Sequence, residues 1–163
     1  MAKEHMGKLN AAGRRFALVA SRYSRVITEQ LVKGALECLS QHGGAEDAAE
    51  VFWVPGSFEL PLVAKKVAES GRFDAVIGLG CVIRGQTPHF EYIAKEVAQG
   101  LARVSWETGI PAVFGVITAD TMEQAIERAG IKSSGRGWEA AQTALEMADL
   151  LQGLSASKPG RKK

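Results

Sequence analysis

The chain has 163 residues and a formal net charge of +2 at pH 7, so it is long enough to bury a full core in one domain. The small charge does not support a nucleic-acid surface over the domain, because the visible basic excess lies in the terminal SKPGRKK. The opening MAKEHMGKLN lacks the apolar core of a secretory signal, and no later apolar run approaches the span of a bilayer. We therefore expect a soluble cytoplasmic protein that binds neither nucleic acid nor membrane.

The two cysteines do not form a pattern typical of a disulfide framework or a zinc site. Cys38 falls in a helical pattern and Cys81 ends an apolar run, and neither belongs to a C-x-x-C motif or a Cys/His cluster. We interpret both as thiols of the hydrophobic core and expect no metal site.

Short apolar runs rich in β-branched residues alternate along the chain with amphipathic helical patterns. The runs predict strands at residues 15–21, 51–54, 75–80 and 112–118. Each run is followed by a helical pattern, most clearly at residues 26–39, 60–68, 87–104 and 138 to about 151. The last helix follows a break at Gly130.

The helix after the third run has the clearest start signal. Thr87 is predicted to be its N-cap and Pro88 its first residue, where the missing N–H is not needed. Apolar residues then recur at helical spacing at positions 90, 93, 94, 97, 101 and 104. This helix should therefore bury one face against the sheet.

The alternation of strands and helices with short connections predicts an α/β fold, because parallel strands need crossover connections. We expect a single-domain, three-layer αβα sandwich with a four-stranded, mostly parallel sheet of flavodoxin-like type and helices on both faces. The domain should span residues 15–152, between an N-terminal arm at residues 1–14 and a disordered basic tail at residues 153–163.

Polar residues follow all four predicted strands. Tyr23 follows the first strand and residues 55–59 follow the second. Residues 84–89 follow the third strand and residues 118–120 follow the fourth. Because parallel sheets bind ligands outside the carboxyl ends of their strands, these residues predict a ligand site on one rim of the sheet.

Two kinds of phosphate site can be compared at the end of the third strand. Gly78, Gly80 and Gly85 have the spacing G-x-G-x-x-x-x-G, and the first two lie within the strand. Since no acidic residue ends the next strand either, we reject a dinucleotide site. Residues 85–87 precede a helix whose free N–H groups and dipole favour an anion, which supports a phosphate site. This pattern alone is not specific to phosphate sites.

His89 lies in the first turn of that helix. The positive end of the helix dipole disfavours an imidazolium ion there, so the ring is expected to serve as a neutral base near a bound phosphate. An ordinary surface or capping histidine is equally compatible with this position. Arg84, in the same loop, is interpreted as a solvated side chain more readily than as a catalytic one.

Other rim residues also have ordinary structural interpretations. Tyr23 and Phe114 are compatible with core aromatic residues at strand ends. Glu59 is compatible with a first-turn carboxylate that the helix dipole favours, and Arg128 and Lys132 with cations in a last helical turn. The residue types alone leave both kinds of interpretation open.

Four segments together resemble the lumazine synthase family from Arg15 to Leu151. They are VASRYSRVITEQLVKGAL, WVPGSFELPLVAKKVAESGRFDAVIGLGCVIRGQTPHFEY, GIPAVFGVITADTMEQAIERAGIK and GWEAAQTALEMADL. The resemblance implies condensation of 5-amino-6-(D-ribitylamino)uracil with 3,4-dihydroxy-2-butanone 4-phosphate. The products would be 6,7-dimethyl-8-ribityllumazine, phosphate and water, at the penultimate step of riboflavin biosynthesis, and no metal or organic cofactor is implied.

The resemblance implies that His89 is the proton donor and that the other site residues bind substrate. Tyr23 would stack on the pyrimidine ring, and Ser57 and Glu59 would hold the ribityl chain. Backbone groups of residues 81–83 would read the uracil edge. The implied substrate-binding set is Tyr23, Ser57, Phe58, Glu59, Cys81, Val82, Ile83, Gln86, Thr87, Phe114, Arg128 and Lys132.

The resemblance also implies an assembly of several copies. Gln86 and Thr87 would meet the phosphate, joined by Arg128. Since sites of this family lie between subunits, Phe114 and Arg128 would come from a neighbouring copy. We expect pentamers assembled into a sixty-subunit hollow shell, because residues 129–137 carry no insertion that would block such packing. Riboflavin synthase is a candidate partner.

Two segments depart from the family pattern. Tyr23 is followed by Ser24, where the family often has an asparagine, and residues 133–137 read SSGRG in place of the usual A-G-N-K-G. If the shell forms, the residues before Arg15 should be ordered against an adjacent subunit.

Two other functions are compatible with the fold: a non-catalytic module that binds a flavin or phosphate, and a purely structural shell protein. The retained site residues favour the enzyme over both.

Overall fold

Four parallel strands form one sheet in the order β2-β1-β3-β4. The computed structural model describes residues 1–130 and 135–156. Its strands are β1 Phe16–Ser21, β2 Ala49–Val54, β3 Ala75–Ile83 and β4 Ala112–Ala119. β1 lies between β2 and β3, and β4 pairs with the other side of β3. The predicted α/β sheet is confirmed, with every pair of strands parallel.

Five α-helices accompany these strands in the described part of the chain, three between consecutive strands and two after β4. They are α1 Arg25–Gln41, α2 Leu60–Glu69, α3 His89–Thr108, α4 Met122–Arg128 and α5 Arg136–Ala156, with a 3-10 turn at Ser57–Glu59 before α2. α5 continues beyond its predicted end, so residues 153–156 are helical. Residues 131–134, which include Lys132, and residues 157–163 of the predicted tail lie outside the described residues. Within the described ranges, no helix combines the length and apolar character needed to cross a membrane.

The helices cover both faces of the sheet. Phe16 and Leu18 of β1 belong to the core cluster on the face of α1 and α5. Ala17 and Val19 belong to the cluster on the face of α2 and α3. Because every residue of β1 is buried, the strand reads as a continuous apolar run. This arrangement confirms the predicted three-layer sandwich.

Two glycines of β3 allow close packing on the α2–α3 face. A Cβ atom at Gly78 would lie 2.8 Å from Leu101 Cδ1, and one at Gly80 would lie 2.6 Å from the Ser57 hydroxyl oxygen. Both glycines lie inside the strand, as the sequence predicted, which agrees with the absence of a dinucleotide-binding turn there. They make room for α3 and for the 3-10 turn.

The start of α3 differs from the prediction. The helix begins at His89, Pro88 is its N-cap residue, and no side chain of the described residues makes a capping hydrogen bond there. The prediction that Thr87 caps the helix is therefore wrong. Pro88 has ψ 8°, outside the helical range, so regular helical backbone begins one residue later than predicted.

The N-terminal arm packs against α5 of its own chain. The backbone N–H of Lys8 donates to Asp149 Oδ2 at 2.8 Å, and Arg14 Nη2 donates to Asp149 Oδ1 at 2.7 Å. Gly7 lies so close to α5 that a Cβ atom there would be 1.9 Å from the carbonyl oxygen of Glu146. Residues 7–14 are thus held on α5, while order against an adjacent subunit stays a prediction.

Candidate functional site

A cavity of about 640 Å³, called the rim cavity below, opens where β1 and β3 end. Its size is within the usual range for small-molecule sites. Nine of the predicted site residues line it: Tyr23, Ser57, Phe58, Glu59, Cys81, Val82, Ile83, Thr87 and His89. They come from the connections after β1, β2 and β3 and from the end of β3 itself. The structure thus brings together most of the residues that the sequence predicted for the site.

The 3-10 turn after β2 places two polar side chains on the cavity wall. Ser57 is buried directly above Gly80, whose missing side chain leaves space for the hydroxyl. Glu59 is half-buried, and its Oε2 atom would lie 3.0 Å from a Cβ atom at Gly56, so the carboxylate folds back over the turn. The turn therefore presents a hydroxyl and a carboxylate to the same cavity.

Tyr23 stands out from the rim of the sheet. Its side chain is 74% exposed, so the interpretation as a core aromatic residue is wrong. The backbone N–H of Tyr23 donates to the Pro55 carbonyl at 3.1 Å, and the Ser21 hydroxyl donates to the Tyr23 carbonyl at 3.3 Å. Ser24 then adopts a left-handed backbone with φ 58°. A fixed backbone therefore carries an aromatic ring that is open for stacking.

The end of β3 forms the cavity floor, and its cysteine is not a nucleophile. Cys81 is buried, and burial raises the pKa of its thiol to about 11. Because the thiolate is the reactive form, this thiol is protonated and inert at neutral pH. Burial likewise raises the pKa of Cys38 to about 11. Both cysteines are free and buried, as predicted.

His89 reaches the cavity from the first position of α3. Its ring is exposed, and it makes no hydrogen bond within residues 1–130 and 135–156. Tyr92 lines the same cavity three residues later, on the same helix face. Tyr92 was not predicted from the sequence as a site residue, although its spacing from His89 was a usable signal.

The loop between β3 and α3 contributes backbone more than side chains. Gly85 and Thr87 line the cavity, whereas Gln86 lies on the same loop outside the lining. A Cβ atom at Gly85 would meet nothing within 4 Å, so the backbone there is open to a ligand. Arg84 does not line the cavity, and its side chain is held by neighbouring groups rather than freely solvated.

A second cavity, of about 650 Å³, lies along the outer edge of β4 and contains Phe114 and Arg128. Arg128 Nη1 donates to the Thr118 carbonyl at 3.2 Å, and Arg136 Nη2 donates to the Phe114 carbonyl at 3.2 Å. Phe114 is only half-buried. The two cavities share no lining residue, so one chain does not bring Phe114 and Arg128 to His89.

Arg136 and Glu139 belong to this second cavity and were not selected from the sequence as site residues. Both lie in the first turn of α5, and their side chains form an ion pair with an N–O distance of 3.5 Å. Their signal was the basic residue in the altered SSGRG segment. In the described part of the chain, no group of three or more His, Cys, Asp and Glu side chains is placed to hold a metal ion.

Comparison with known proteins identifies the family. The family model described as 6,7-dimethyl-8-ribityllumazine synthase matches residues 13–152. The chain is also 51% identical over 152 residues to proteins of that name from Clostridium kluyveri. The match covers 93% of this chain and 99% of each relative. The chain belongs to the 6,7-dimethyl-8-ribityllumazine synthase family.

Membership in the lumazine synthase family agrees with the resemblance found in the sequence. Lumazine synthases are transferases of riboflavin biosynthesis. In this family member the rim cavity combines an exposed aromatic ring, a hydroxyl, a carboxylate and an imidazole. The separate cavity at the β4 edge adds two arginines and two glutamates.

Proposed function

We propose that this chain condenses 5-amino-6-(D-ribitylamino)uracil with 3,4-dihydroxy-2-butanone 4-phosphate to form 6,7-dimethyl-8-ribityllumazine. The observation that carries the proposal is the convergence of Tyr23, Ser57 and His89 on one cavity, in a chain 51% identical to proteins named for that product. No observation favours a binding module or a shell without chemistry.

The pyrimidine is proposed to lie between Tyr23 and the end of β3. The exposed ring of Tyr23 offers a stacking surface, and aromatic rings stack favourably on planar heterocycles. Backbone groups of residues 81–83 offer donors and acceptors for the uracil edge at the point where β3 ends. Ser57 and Glu59 supply polar partners for the hydroxyl groups of the ribityl chain.

The phosphate of the second substrate is proposed to bind at the start of α3. No described side chain caps this helix, and the Glu91 N–H already donates to the Pro88 carbonyl at 3.2 Å, so the backbone N–H groups of His89 and Phe90 remain available to an anion. The open backbone at Gly85 and the hydroxyl of Thr87 lie beside them. His89 is then next to the phosphate, where protons must move as it leaves.

The reaction needs proton transfers but no protein nucleophile. The pyrimidine amine attacks the ketone and forms an imine with loss of water, phosphate is then eliminated, and ring closure expels a second water. His89 is proposed to shuttle the protons between these steps. Holding two reactants together supplies a further part of the acceleration, about 7–11 kcal/mol in well-oriented systems. The protonated thiol of Cys81 takes no part.

A second copy is proposed to complete the site. Arg128 would bring a guanidinium to the phosphate and Phe114 a ring to the heterocycle, yet both line a cavity apart from His89. Exposed Phe58, Leu62 and Tyr92 lie on the α2–α3 side of the chain, and apolar side chains of this size suit an interface. We propose a heterologous ring of subunits, pentamers and the sixty-subunit shell included. Riboflavin synthase as a partner and a cytoplasmic location stay predictions.

The test is to mix the purified chain with both substrates and follow the absorbance and fluorescence of the lumazine product. Omission of either substrate is the control, because the product needs both. Inorganic phosphate should be released in step with lumazine. Binding of the pyrimidine without turnover in the presence of both substrates would contradict the proposal.

A further inference from the structure

Arg84 lies between three elements at the rim of the sheet. It follows the last residue of β3, and its backbone N–H donates to the Ala119 carbonyl at 2.9 Å, which extends the β3–β4 ladder by one residue. Its Nε atom donates to Asp120 Oδ1 at 2.8 Å, just beyond β4. Arg84 is therefore anchored to the sheet by both its backbone and its side chain.

The same guanidinium reaches the first turn of α3. Nη1 of Arg84 donates to the carboxylate of Glu91, and Cζ lies 4.5 Å from the ring centroid of Phe90. Phe90 and Glu91 are the two residues that follow His89. The planar guanidinium can serve both carboxylates and the aromatic face at once, a geometry that a compact ammonium group matches less well.

Apolar packing supports the start of α3, since Phe90 and Ile93 lie against the core of the α2–α3 face, but polar contacts there are few. Pro88 has no side-chain donor or acceptor, and no described side chain caps the helix. Gly85 is open on the side where a Cβ would lie, so the loop that precedes the helix is not packed there. Among the described residues, Arg84 is the side chain that ties the first turn of α3 to the end of β4.

We propose that Arg84 is a positioning residue that sets His89 and the loop at residues 85–87 relative to the cavity floor. The proposal rests on the function proposed above, because it assigns the proton transfer to His89 and the phosphate to that loop. Arg84 itself does not line the cavity. It acts through Phe90 and Glu91, which hold the helix start.

An ordinary surface ion pair is the alternative, and the two differ in what they predict. Side chains of Arg84, Glu91 and Asp120 are all partly exposed, with relative exposures of 46%, 52% and 64%. Ion pairs of this kind contribute little to stability. Loss of Arg84 should therefore leave the unfolding midpoint nearly unchanged under either interpretation. Catalysis should change only if Arg84 is a positioning residue.

Arg72 supplies a matched control at the opposite end of the strands, before β3 begins. It precedes β3, pairs with Glu50 and lies 4.9 Å from the ring centroid of Phe73. An Arg72→Ala change thus removes the same kinds of contact far from the cavity. Arg84→Ala, Arg84→Lys and Arg72→Ala should be compared with the unaltered chain.

We expect Arg84→Ala to lower kcat by roughly tenfold or more, because small displacements of reacting groups are costly. The KM for the butanone phosphate should rise several-fold, whereas the KM for the pyrimidine should stay within about twofold, since Tyr23 and Ser57 are untouched. Arg84→Lys should recover only part of kcat. Arg72→Ala should change none of these constants by more than about twofold.

Amide hydrogen exchange tests the positioning without any turnover. Arg84→Ala should speed exchange at residues 85–92, and Arg72→Ala should not. If the unaltered chain forms no lumazine, the proposed function fails, and exchange alone then decides the role of Arg84. Equal exchange in the two alanine variants would overturn the inference. Faster exchange in a variant with unchanged kcat and KM would overturn it as well.

Discussion

At the scale of single residues, the candidate site depends on side chains that the backbone leaves exposed. His89 lies in the cavity without a hydrogen-bond partner in the described chain, and Tyr23 stands clear of the core. Neither position contributes much to packing. Their presence is explained by the reaction more simply than by stability.

Replacing His89 by alanine should slow turnover and spare binding. General acid–base catalysis typically contributes about 100-fold to 10,000-fold, and we expect a loss of kcat at or below the lower end of that range, because positioning carries much of the rate. Both KM values should stay within about twofold. Steady-state kinetics measure this, with His5→Ala in the exposed arm as the control. Unchanged kcat in the His89 variant would remove it from the mechanism.

Ser24 carries a backbone strain that asparagine would relieve. Its φ of 58° and ψ of 43° lie in the left-handed region, which costs ~1 kcal/mol or more for most residues but less for asparagine. Ser24→Asn should raise the free energy of unfolding by about 0.5 kcal/mol, and Ser24→Val should lower it by about 1–2 kcal/mol. Urea denaturation at fixed protein concentration measures both changes.

Ser40 provides the control for that comparison. It is exposed within α1, where the backbone is helical, so Ser40→Asn should give no stabilisation. An equal gain at positions 24 and 40 would show that asparagine stabilises the chain for a reason other than the backbone at Ser24.

At the scale of elements, short connections place chemistry at the ends of buried strands. β3 ends in the cavity floor, and the loop after it leads within five residues to the start of α3. The N-terminal arm is a different kind of element, since its order comes from polar contacts with α5. Such contacts are sensitive to pH, because the Asp149 carboxylate accepts hydrogen bonds best when it is ionised.

The arm should loosen when Asp149 loses its charge. The backbone N–H of Lys8, with help from Arg14, lowers the pKa of Asp149 below its usual value. A lowered pKa means that the contact contributes above the pKa of the unfolded state and is lost as pH falls through the folded value. Asp149→Asn should therefore speed amide exchange in residues 7–14 at pH 7, as acid does in the unaltered chain.

Glu146→Gln is the control for the arm, because its carboxylate on the same helix makes no hydrogen bond or ion pair within the described residues. Exchange rates should be corrected for their intrinsic pH dependence. If amide exchange in residues 7–14 is equally slow in the Asp149→Asn and Glu146→Gln variants, the order of the arm comes from packing at Gly7 rather than from the Asp149 charge.

At the scale of the whole molecule, the proposed site residues lie in two cavities at different places on the sheet. The rim cavity holds His89, and the β4 edge holds Phe114 and Arg128. A heterologous ring brings two different surfaces of identical copies together, so each interface could unite the two halves. Activity would then require at least the ring.

Two impaired variants should recover activity when they assemble together. His89→Ala and Arg128→Ala chains, co-expressed with different tags, would form an intact site wherever His89 of one copy meets Arg128 of the other. With random mixing, about one quarter of the sites would be intact, well above the mean of the separate variants. Turnover of the doubly tagged assembly measures this, and sedimentation gives its size. Activity no higher than that mean, or an active monomer, would contradict the shared site.

The sequence by itself determined the order and type of the elements and the rim on which the candidate site residues lie. Apolar β-branched runs can be strands covered on both faces, and parallel strands end together, so Tyr23, Ser57 and His89 were expected on one edge. What only the tertiary structure decided depends on contacts between distant residues. The strand order separates Arg128 from His89, and Arg84 meets Asp120 across 36 positions of sequence. Local patterns carry no record of such contacts, because they follow from how helices and strands pack in space.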